Sequence, residues 1–267
     1  MADGTVGRTD DGPVATLTLD RGQRNALSGG FADALVEALC ACDADPAVRA
    51  VVLTGAGRSF SVGADLSEGP DSLRRLLVAD GADRPGYREP AGRVTLLIAA
   101  MATPVVVAVN GDAVGGGATI TLAADVRFAA DTARFAFPFT RLGVCPEGAS
   151  THYLPRLVGA GRATDWLLSG RTVDAAEALA AGLVTRVLPA ADVLGAAQRY
   201  AHELAERTSP RAVAVTRALL AATPADPAAA SDAESAAIAE LIGGPDCAEG
   251  IGAFLQRRAP RFAPLTR

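Results

Sequence analysis

Three short segments of the chain carry residue types that could do chemistry. Two are rich in glycine, residues 63–66 (GADL) and 115–117 (GGG), and the third is residues 146–148 (PEG). A glycine-rich turn that opens a helix can present backbone N–H groups to a ligand, but alone it is more often a plain connection between strand and helix. Glu147 could transfer a proton, or it could be a solvated turn residue or a carboxylate at a helix N-terminus.

The sequence spacing of the cysteines and histidines does not match a metal-binding motif. They are Cys40, Cys42, Cys145, Cys247, His152 and His202. The cysteines form no C-x-x-C pair and the histidines are isolated, so structural zinc is not expected. We expect reduced thiols, mostly buried as small hydrophobes. A nucleophile made of Cys145 and His152 stays open as a minor alternative, without an obvious third group to orient it.

Composition restricts the class of protein. The chain has 267 residues, 49% of them apolar, and a net charge of −5, and all 25 of its positive side chains are arginines. A mildly acidic chain with scattered arginines does not resemble a nucleic-acid binder, whereas arginine suits bidentate phosphate contacts. No apolar run reaches the roughly 18 residues of a membrane span, and the start of the chain does not have the features of a signal peptide. We therefore expect a soluble cytoplasmic protein.

Strand-like and helix-like runs alternate along most of the chain. Apolar runs of strand length lie at residues 14–19, 50–54, 104–109, 126–129 and 184–188. Helical spacing is expected at residues 27–42, with Ser28 as N-cap, and at residues 94–101, 118–124, 149–157, 161–168 and 175–181. The alternation predicts an α/β core. Residues 67–92 are rich in glycine, proline and charge and predict a mobile loop, and from residue 190 the pattern is helical.

The order and spacing of several motifs resemble the crotonase, or enoyl-CoA hydratase/isomerase, superfamily over nearly the full chain. The matching segments are residues 17–20 (LTLD), 24–27 (RNAL), 51–57 (VVLTGAG), 60–66 (FSVGADL), 104–111 (PVVVAVNG), 115–117 (GGG), 169–171 (SGR), 181–184 (AGLV) and 254–258 (FLQRR). The resemblance implies an α/β fold, a crotonase-like spiral of ββα units with a C-terminal helical oligomerisation region. We expect a catalytic core over residues 1–195 and the helical region over residues 196–267, assembled as a homotrimer or homohexamer.

The resemblance also implies an oxyanion hole made by the backbone N–H groups of Ala64 and Gly116. Such donors stabilise the enolate oxygen of an acyl-CoA thioester because they are fixed and aimed at the developing charge. The helix that begins near Gly116 adds a favourable field, and a side chain at this position would crowd the ligand. Asp65 is expected to fix the turn that presents the Ala64 N–H.

The carboxylates indicate the reaction. Hydratases of this family use two glutamates, and the corresponding positions here are Thr119 and Phe139, neither of which can transfer a proton usefully. Similar Pro-Glu-Gly turns occur in the peroxisomal type of Δ3,Δ2-enoyl-CoA isomerase, in which the glutamate is the base. Those enzymes also carry a threonine at the place of Thr119 and a Pro-Phe pair such as residues 138–139. The resemblance implies an isomerase with Glu147 as its base, whose pKa apolar neighbours should raise.

The resemblance also indicates which residues bind CoA. The segment beside Arg24 is expected to lie along the CoA, and basic residues of the tail are expected near its phosphates. The expected contacts are Arg24, Ala26, Leu27, Val62, Ala64, Asp65, Leu66, Gly116 and Arg258. We expect no metal and no cofactor, since coenzyme A is part of the substrate. Two alternatives stay open, namely another crotonase reaction such as hydration, and an acyl-CoA-binding module without catalysis.

Overall fold

The computed structural model describes residues 4–22, 24–67, 69–222 and 226–265. The strands are β1 (Thr5–Asp11), β2 (Val14–Asp20), β3 (Ala50–Gly55), β4 (Ser59–Ser61), β5 (Val105–Val109), β6 (Asp112–Val114), β7 (Val126–Ala130), β8 (Arg134–Ala136), β9 (Thr172–Asp174) and β10 (Arg186–Leu188). The helices are α1 (Gly29–Ala44), α2 (Ser72–Ala79), α3 (Pro90–Ala100), α4 (Gly116–Thr119), α5 (Ser150–Val158), α6 (Ala160–Ser169), α7 (Ala175–Ala181), α8 (Val193–Arg207), α9 (Pro210–Ala222), α10 (Pro227–Ile242) and α11 (Pro245–Leu255).

The strands form two sheets. The larger has the order β1-β2-β3-β5-β7-β10 and is parallel from β2 onward, with β1 antiparallel at its edge. Its central strands β3 and β5 are almost continuously apolar and buried, as expected for a parallel sheet covered on both faces. The smaller sheet has the order β4-β6-β8-β9.

Successive parts of the chain repeat one path. Strands β3, β5 and β7 lie in the larger sheet, each is followed by a short strand of the smaller sheet, and a helix comes next. This path confirms the expected α/β fold built from ββα units. Because β4, β6 and β8 are parallel neighbours in the smaller sheet, the turns that follow them lie side by side.

The C-terminal quarter is helical, as expected. Helix α8 packs on strands β2, β3, β5 and β7 through a face of small buried residues, among them Ala197 and Ala201. Residue 195, where the boundary of the core was expected, lies inside this helix. Helices α9 to α11 follow and carry exposed apolar side chains, among them Leu220, Ile238 and Phe254.

Several local expectations from the sequence need correction. Residues 67–92 are not simply a loop, because they contain α2, whose leucines face a cavity. The helix expected at residues 118–124 is shorter and ends at Thr119. Of the four thiols only Cys42 is buried, and Cys145 is exposed.

No helix within the described ranges is long and apolar enough to cross a membrane.

Candidate active site

An apolar cavity of about 450 Å³ opens beside the N-termini of α3 and α4. Helix α2 covers one side of it, and the segment between β8 and α5 forms another. The residues around it are Leu27, Val62, Ala64, Leu66, Leu73, Leu76, Leu77, Tyr87, Glu89, Pro90, Ala91, Val114, Gly115, Gly116, Pro138, Phe139, Leu142, Val144, Cys145, Pro146 and Glu147. The cavity therefore contains two carboxylates and, among its described lining residues, no arginine.

The turn after β4 docks closely on the start of α4. Gly63 has a φ of +73°, and a Cβ there would lie 2.6 Å from the Val114 carbonyl oxygen and 3.0 Å from the Gly116 nitrogen. A Cβ at Gly117 would lie 2.1 Å from the Ser61 carbonyl oxygen. Side chains at these two positions would force the segments apart, so glycine permits the close approach.

This docking brings Ala64 and Gly116 to the same wall of the cavity. Neither N–H donates to a protein acceptor within the described residues, although most buried backbone donors in proteins are paired. Gly116 is also the first residue of α4, where helix N–H groups have no partner inside the helix. Two backbone donors are therefore available to a ligand in the cavity.

The segment before α1 runs alongside this turn. The Leu27 N–H donates to the Gly63 carbonyl oxygen at 2.8 Å, and the Val62 N–H donates to the Arg24 carbonyl oxygen at 3.1 Å. The buried Asn25 has a φ of +50°, and its amide donates to three carbonyl oxygens of residues 56–60. The sequence motif indicated this segment but did not reveal that Asn25 holds the two turns together.

The remaining residues expected to bind CoA are dispersed. Ala26 is half-buried next to Leu27, and the exposed Leu66 lines the cavity. The Asp65 carboxylate accepts the Ser67 N–H at 3.1 Å and so closes the turn that follows Ala64. The exposed side chain of Arg24 does not line the cavity.

Arg258 lies in the C-terminal segment and is not part of the cavity wall. Its guanidinium donates to both carboxylate oxygens of Glu249, at 2.6 and 2.9 Å. This bidentate pair holds the segment around Arg258 against α11. A contact between Arg258 and CoA therefore stays a proposal.

Glu147 extends into the cavity next to Gly116. A Cβ at Gly116 would lie 2.7 Å from Glu147 Oε1, so the carboxylate lies beside the backbone of Gly116. The turn that carries Glu147 has two left-handed residues, Gly148 at φ +61° and Ala149 at φ +52°. Ser150 donates its N–H and Oγ–H to the Glu147 carbonyl oxygen at 3.0 and 2.6 Å, which leads the chain into α5.

The surroundings of Glu147 favour its neutral form. Burial, and second the negative charge of Glu89, raise the pKa of Glu147 from 4.5 to about 7. Of the four apolar neighbours expected from the sequence, Phe139, Val144 and Pro146 line the same cavity, whereas Phe137 is buried in the core and does not. A carboxyl with a pKa near neutrality is suited to taking up and returning a proton.

The two positions that carry glutamates in the resembling hydratases contain no acid here. Thr119 is fully buried, and its hydroxyl donates to the Gly116 carbonyl oxygen at 3.1 Å. Phe139 is buried and lines the cavity. These positions therefore supply no carboxylate for proton transfer.

Sequence reasoning missed one carboxylate of the cavity, Glu89. It is the N-cap of α3, and its carboxylate accepts the N–H groups of Gly92 and Gly148, each at 2.6 Å. Pro90 at the first position of α3 is a recognisable signal for a helix start, but glutamate is not among the usual N-cap residues. The bond to Gly148 joins residues 59 positions apart, and no local pattern indicates it.

Comparison with known proteins places the chain in one family. Residues 9–264 match the family described as Enoyl-CoA hydratase/isomerase. The chain is 38% identical to the enoyl-CoA hydratase AFT3-1 of Alternaria alternata over 263 residues, which cover 96% of this chain and 86% of that protein. A crystal structure described as a probable enoyl-CoA hydratase/isomerase from Mycobacterium abscessus superimposes with a TM-score of 0.88 at 37% identity and covers 98% of this chain and 100% of that one. The chain belongs to the enoyl-CoA hydratase/isomerase family, with the crotonase fold.

Proposed function

We propose that this chain is an enoyl-CoA isomerase that moves the double bond of a 3-enoyl-CoA to the 2-position. The observation that carries the proposal is the position of Glu147, a carboxylate with a pKa near neutrality beside Gly116. Moving the double bond from position 3 to position 2 transfers one proton from C2 to C4, which a single base can do. Hydration by the family's pair of glutamates would need acids where this chain has Thr119 and Phe139.

The proposed reaction uses the cavity in two steps. Glu147 removes a proton from C2 of the bound 3-enoyl thioester, and the electron pair of that bond spreads over a dienolate whose oxygen carries the charge. The N–H groups of Ala64 and Gly116 donate hydrogen bonds to this oxygen and stabilise it. Protonated Glu147 then returns the proton to C4, which forms the 2-enoyl thioester and restores the carboxylate. The proton removed from C2 is the one delivered to C4, so the reaction needs no other reactant.

The lining of the cavity supports an apolar acyl group as the part that enters it. Three leucines of α2 and the side chain of Phe139 are among its apolar lining residues. A polar groove adjoins the cavity at Leu76, which lines both. It contains three arginines, Arg21, Arg75 and Arg84, and three aspartates, Asp33, Asp65 and Asp80. We propose that the phosphates of CoA lie toward this groove, since arginine binds phosphate well.

For the rest of the CoA moiety we retain the expected contacts as a proposal. They are Arg24, Ala26, Leu27, Val62, Ala64, Asp65, Leu66, Gly116 and Arg258. Five of these, Leu27, Val62, Ala64, Leu66 and Gly116, line the cavity, and Asp65 lines the groove. Arg24 lines neither the cavity nor the groove, so the three arginines of the groove are better placed than Arg24 to contact the CoA phosphates.

Hydration is the second candidate function. Relatives of this chain are named enoyl-CoA hydratases, and Glu89 supplies a second carboxylate to the cavity. Water addition needs one group that activates water and another that delivers a proton to C2. Both oxygens of Glu89 already accept backbone N–H groups, which makes this residue less suited to transferring a proton.

The ultraviolet absorbance of the conjugated 2-enoyl thioester separates these functions. With 3-enoyl-CoA as substrate, an isomerase gives a rise in this band, and with 2-enoyl-CoA it gives no fall. A fall with 2-enoyl-CoA would overturn the proposal in favour of hydration. No change with either substrate, together with measurable CoA binding, would mean that the chain binds acyl-CoA without converting it.

We also propose that the chain assembles as a homotrimer or homohexamer. The proposal is supported by the apolar side chains that α9 to α11 leave exposed, such as Leu220, Ile242 and Phe254. Covering them in an assembly would remove apolar surface from water, which is favourable. Multi-angle light scattering at micromolar concentration is expected to give three or six times the 27.0 kDa chain mass. A strictly monomeric mass would contradict the proposal.

A further inference from the structure

The Glu89 side chain joins two parts of the cavity that are distant in sequence. One carboxylate oxygen accepts the Gly92 N–H at the start of α3, and the other accepts the Gly148 N–H, each at 2.6 Å. Capping a helix needs only the first of these bonds. The second connects Glu89 to the residue that directly follows Glu147.

The backbone on both sides of this connection is closely packed. A Cβ at Gly148 would lie 2.5 Å from Thr119 Oγ1, and a Cβ at Gly92 would lie 2.2 Å from Glu89 Oε2. The left-handed Ala149, which directly follows Gly148, needs support because such a conformation is unfavourable for a residue with a side chain. The Glu89 carboxylate on one side and the Ser150 bonds to the Glu147 carbonyl on the other provide it.

We propose that Glu89 is a positioning residue for this site, whose carboxylate holds the turn that aims Glu147 at the bound thioester and places a negative charge near it. This inference rests on the proposed role of Glu147. Glu89 itself transfers no proton in this scheme. A hydrogen-bonded partner that orients a reacting group is a common device in enzymes, because small displacements of that group cost rate.

The charges around Glu147 make Glu89 effective in this role. The titratable side chains that line the cavity are Glu89, Glu147, Tyr87 and Cys145. Burial raises the pKa of Tyr87, so this phenol stays neutral at ordinary pH. Because no cation is among the described lining residues, the charge of Glu89 raises the pKa of Glu147 without an opposing neighbour.

The test compares Glu89→Gln and Glu89→Asp with the intact protein. Glutamine keeps the size of the side chain but removes the charge, and it offers one acceptor oxygen to two N–H groups. We expect kcat for 3-enoyl-CoA to fall on the order of 10²-fold, the loss associated with a misplaced reacting group, with KM changed far less. The pH at which kcat/KM reaches half of its plateau should move to a lower value. Aspartate keeps the charge and should restore the pH midpoint, though not the full rate.

A second readout does not depend on turnover. Carbon-13 NMR of the side-chain carboxyls, with Glu147 assigned by its absence in Glu147→Gln, follows the ionisation of Glu147 directly. We expect its midpoint to fall in Glu89→Gln and to stay near that of the intact protein in Glu89→Asp. If Glu89→Gln does not fold, the Glu89→Asp variant decides, because the retained charge with a shortened reach should lower kcat and leave the midpoint unchanged.

The control is Asp174→Asn, which alters the carboxylate cap of α7. Asp174 accepts the Glu177 N–H at 2.8 Å and does not line the cavity. An equal loss of kcat in Asp174→Asn and Glu89→Gln, or an unchanged Glu147 midpoint in Glu89→Gln, would overturn the inference and leave Glu89 as an ordinary cap. Failure of the proposed function gives a different result, since Glu147→Gln would then be as active as the intact protein.

Discussion

Replacing Glu147 with glutamine is expected to lower the rate of 3-enoyl to 2-enoyl conversion by about 10²–10⁴-fold, the contribution of a general base. Glutamine keeps the shape of the side chain but cannot accept the proton from C2. Binding of a saturated acyl-CoA should change little, because the N–H groups of Ala64 and Gly116 remain. Initial rates from the conjugated enoyl band, together with acyl-CoA binding by calorimetry, measure both quantities.

Glu147→Gln should also change the pH dependence of kcat/KM. A base acts only when it is deprotonated, and the pKa of Glu147 is raised to about 7, so kcat/KM should rise with pH through about 7 and then level off. The residual activity of Glu147→Gln should not show this rise. Glu234→Gln, at an exposed position of α10, makes the same chemical change away from the cavity and should leave the rate and its pH profile unchanged. A near-normal rate in Glu147→Gln would return Glu147 to the role of a turn residue.

A side chain at Gly116 is expected to have the second large effect. A Cβ there would lie 2.7 Å from Glu147 Oε1 and 3.1 Å from Leu27 Cδ1, in the space that the thioester oxygen must approach. Gly116→Val should therefore displace the base and block the oxyanion hole together. Losing one such donor alone costs about 10²–10³-fold in rate.

Two further variants separate this effect from misfolding. Gly116→Ala adds only the Cβ and should lose activity in the same direction while circular dichroism and the thermal midpoint stay near normal. Gly161→Val lies on α6, where a Cβ meets no atom within 4 Å, and should keep full activity. A folded Gly116→Val variant with normal turnover would mean that the thioester does not bind at Gly116.

The parts of the fold that could be predicted are those with a local cause. The buried runs of β3 and β5 are continuous apolar stretches of strand length, and Ser28 caps α1 by accepting the Phe31 N–H, as its position suggested. The strands of the smaller sheet have only three residues each, too few for a periodic pattern. Helix α2 was missed because glycine, proline and charged residues surround its two turns.

The residues of the candidate site also fall into those that a local motif indicates and those that depend on tertiary packing. Residues 63–66 and 115–117 could be predicted because their motifs are contiguous, and Glu147 because its Pro-Glu-Gly turn resembles that of known isomerases; members of all three segments line the cavity. Glu89 was missed because its contact with Gly148 depends on how α3 packs against a segment 59 residues later. Non-local hydrogen bonds of this kind are fixed by the tertiary fold and leave no trace in a single sequence.

The burial of Glu147 also affects the stability of the folded chain. Its pKa is about 7 in the folded state and near 4.5 when the chain is unfolded, so between these values the folded state holds a proton that the unfolded state has released. By proton linkage, this group makes the free energy of unfolding decrease as pH rises from about 4.5 to 7, by roughly 3 kcal/mol, and the loss persists above that pH.

Glutamine at position 147 carries no charge to desolvate, so urea denaturation at pH 8 should find Glu147→Gln more stable than the intact protein. A variant that is less stable than the intact protein at pH 8 would contradict this reasoning. The desolvated carboxylate thus weakens the unliganded fold under the conditions in which it is ionised and able to accept a proton. In this cavity, readiness for proton transfer and maximal thermodynamic stability are opposing demands on one side chain.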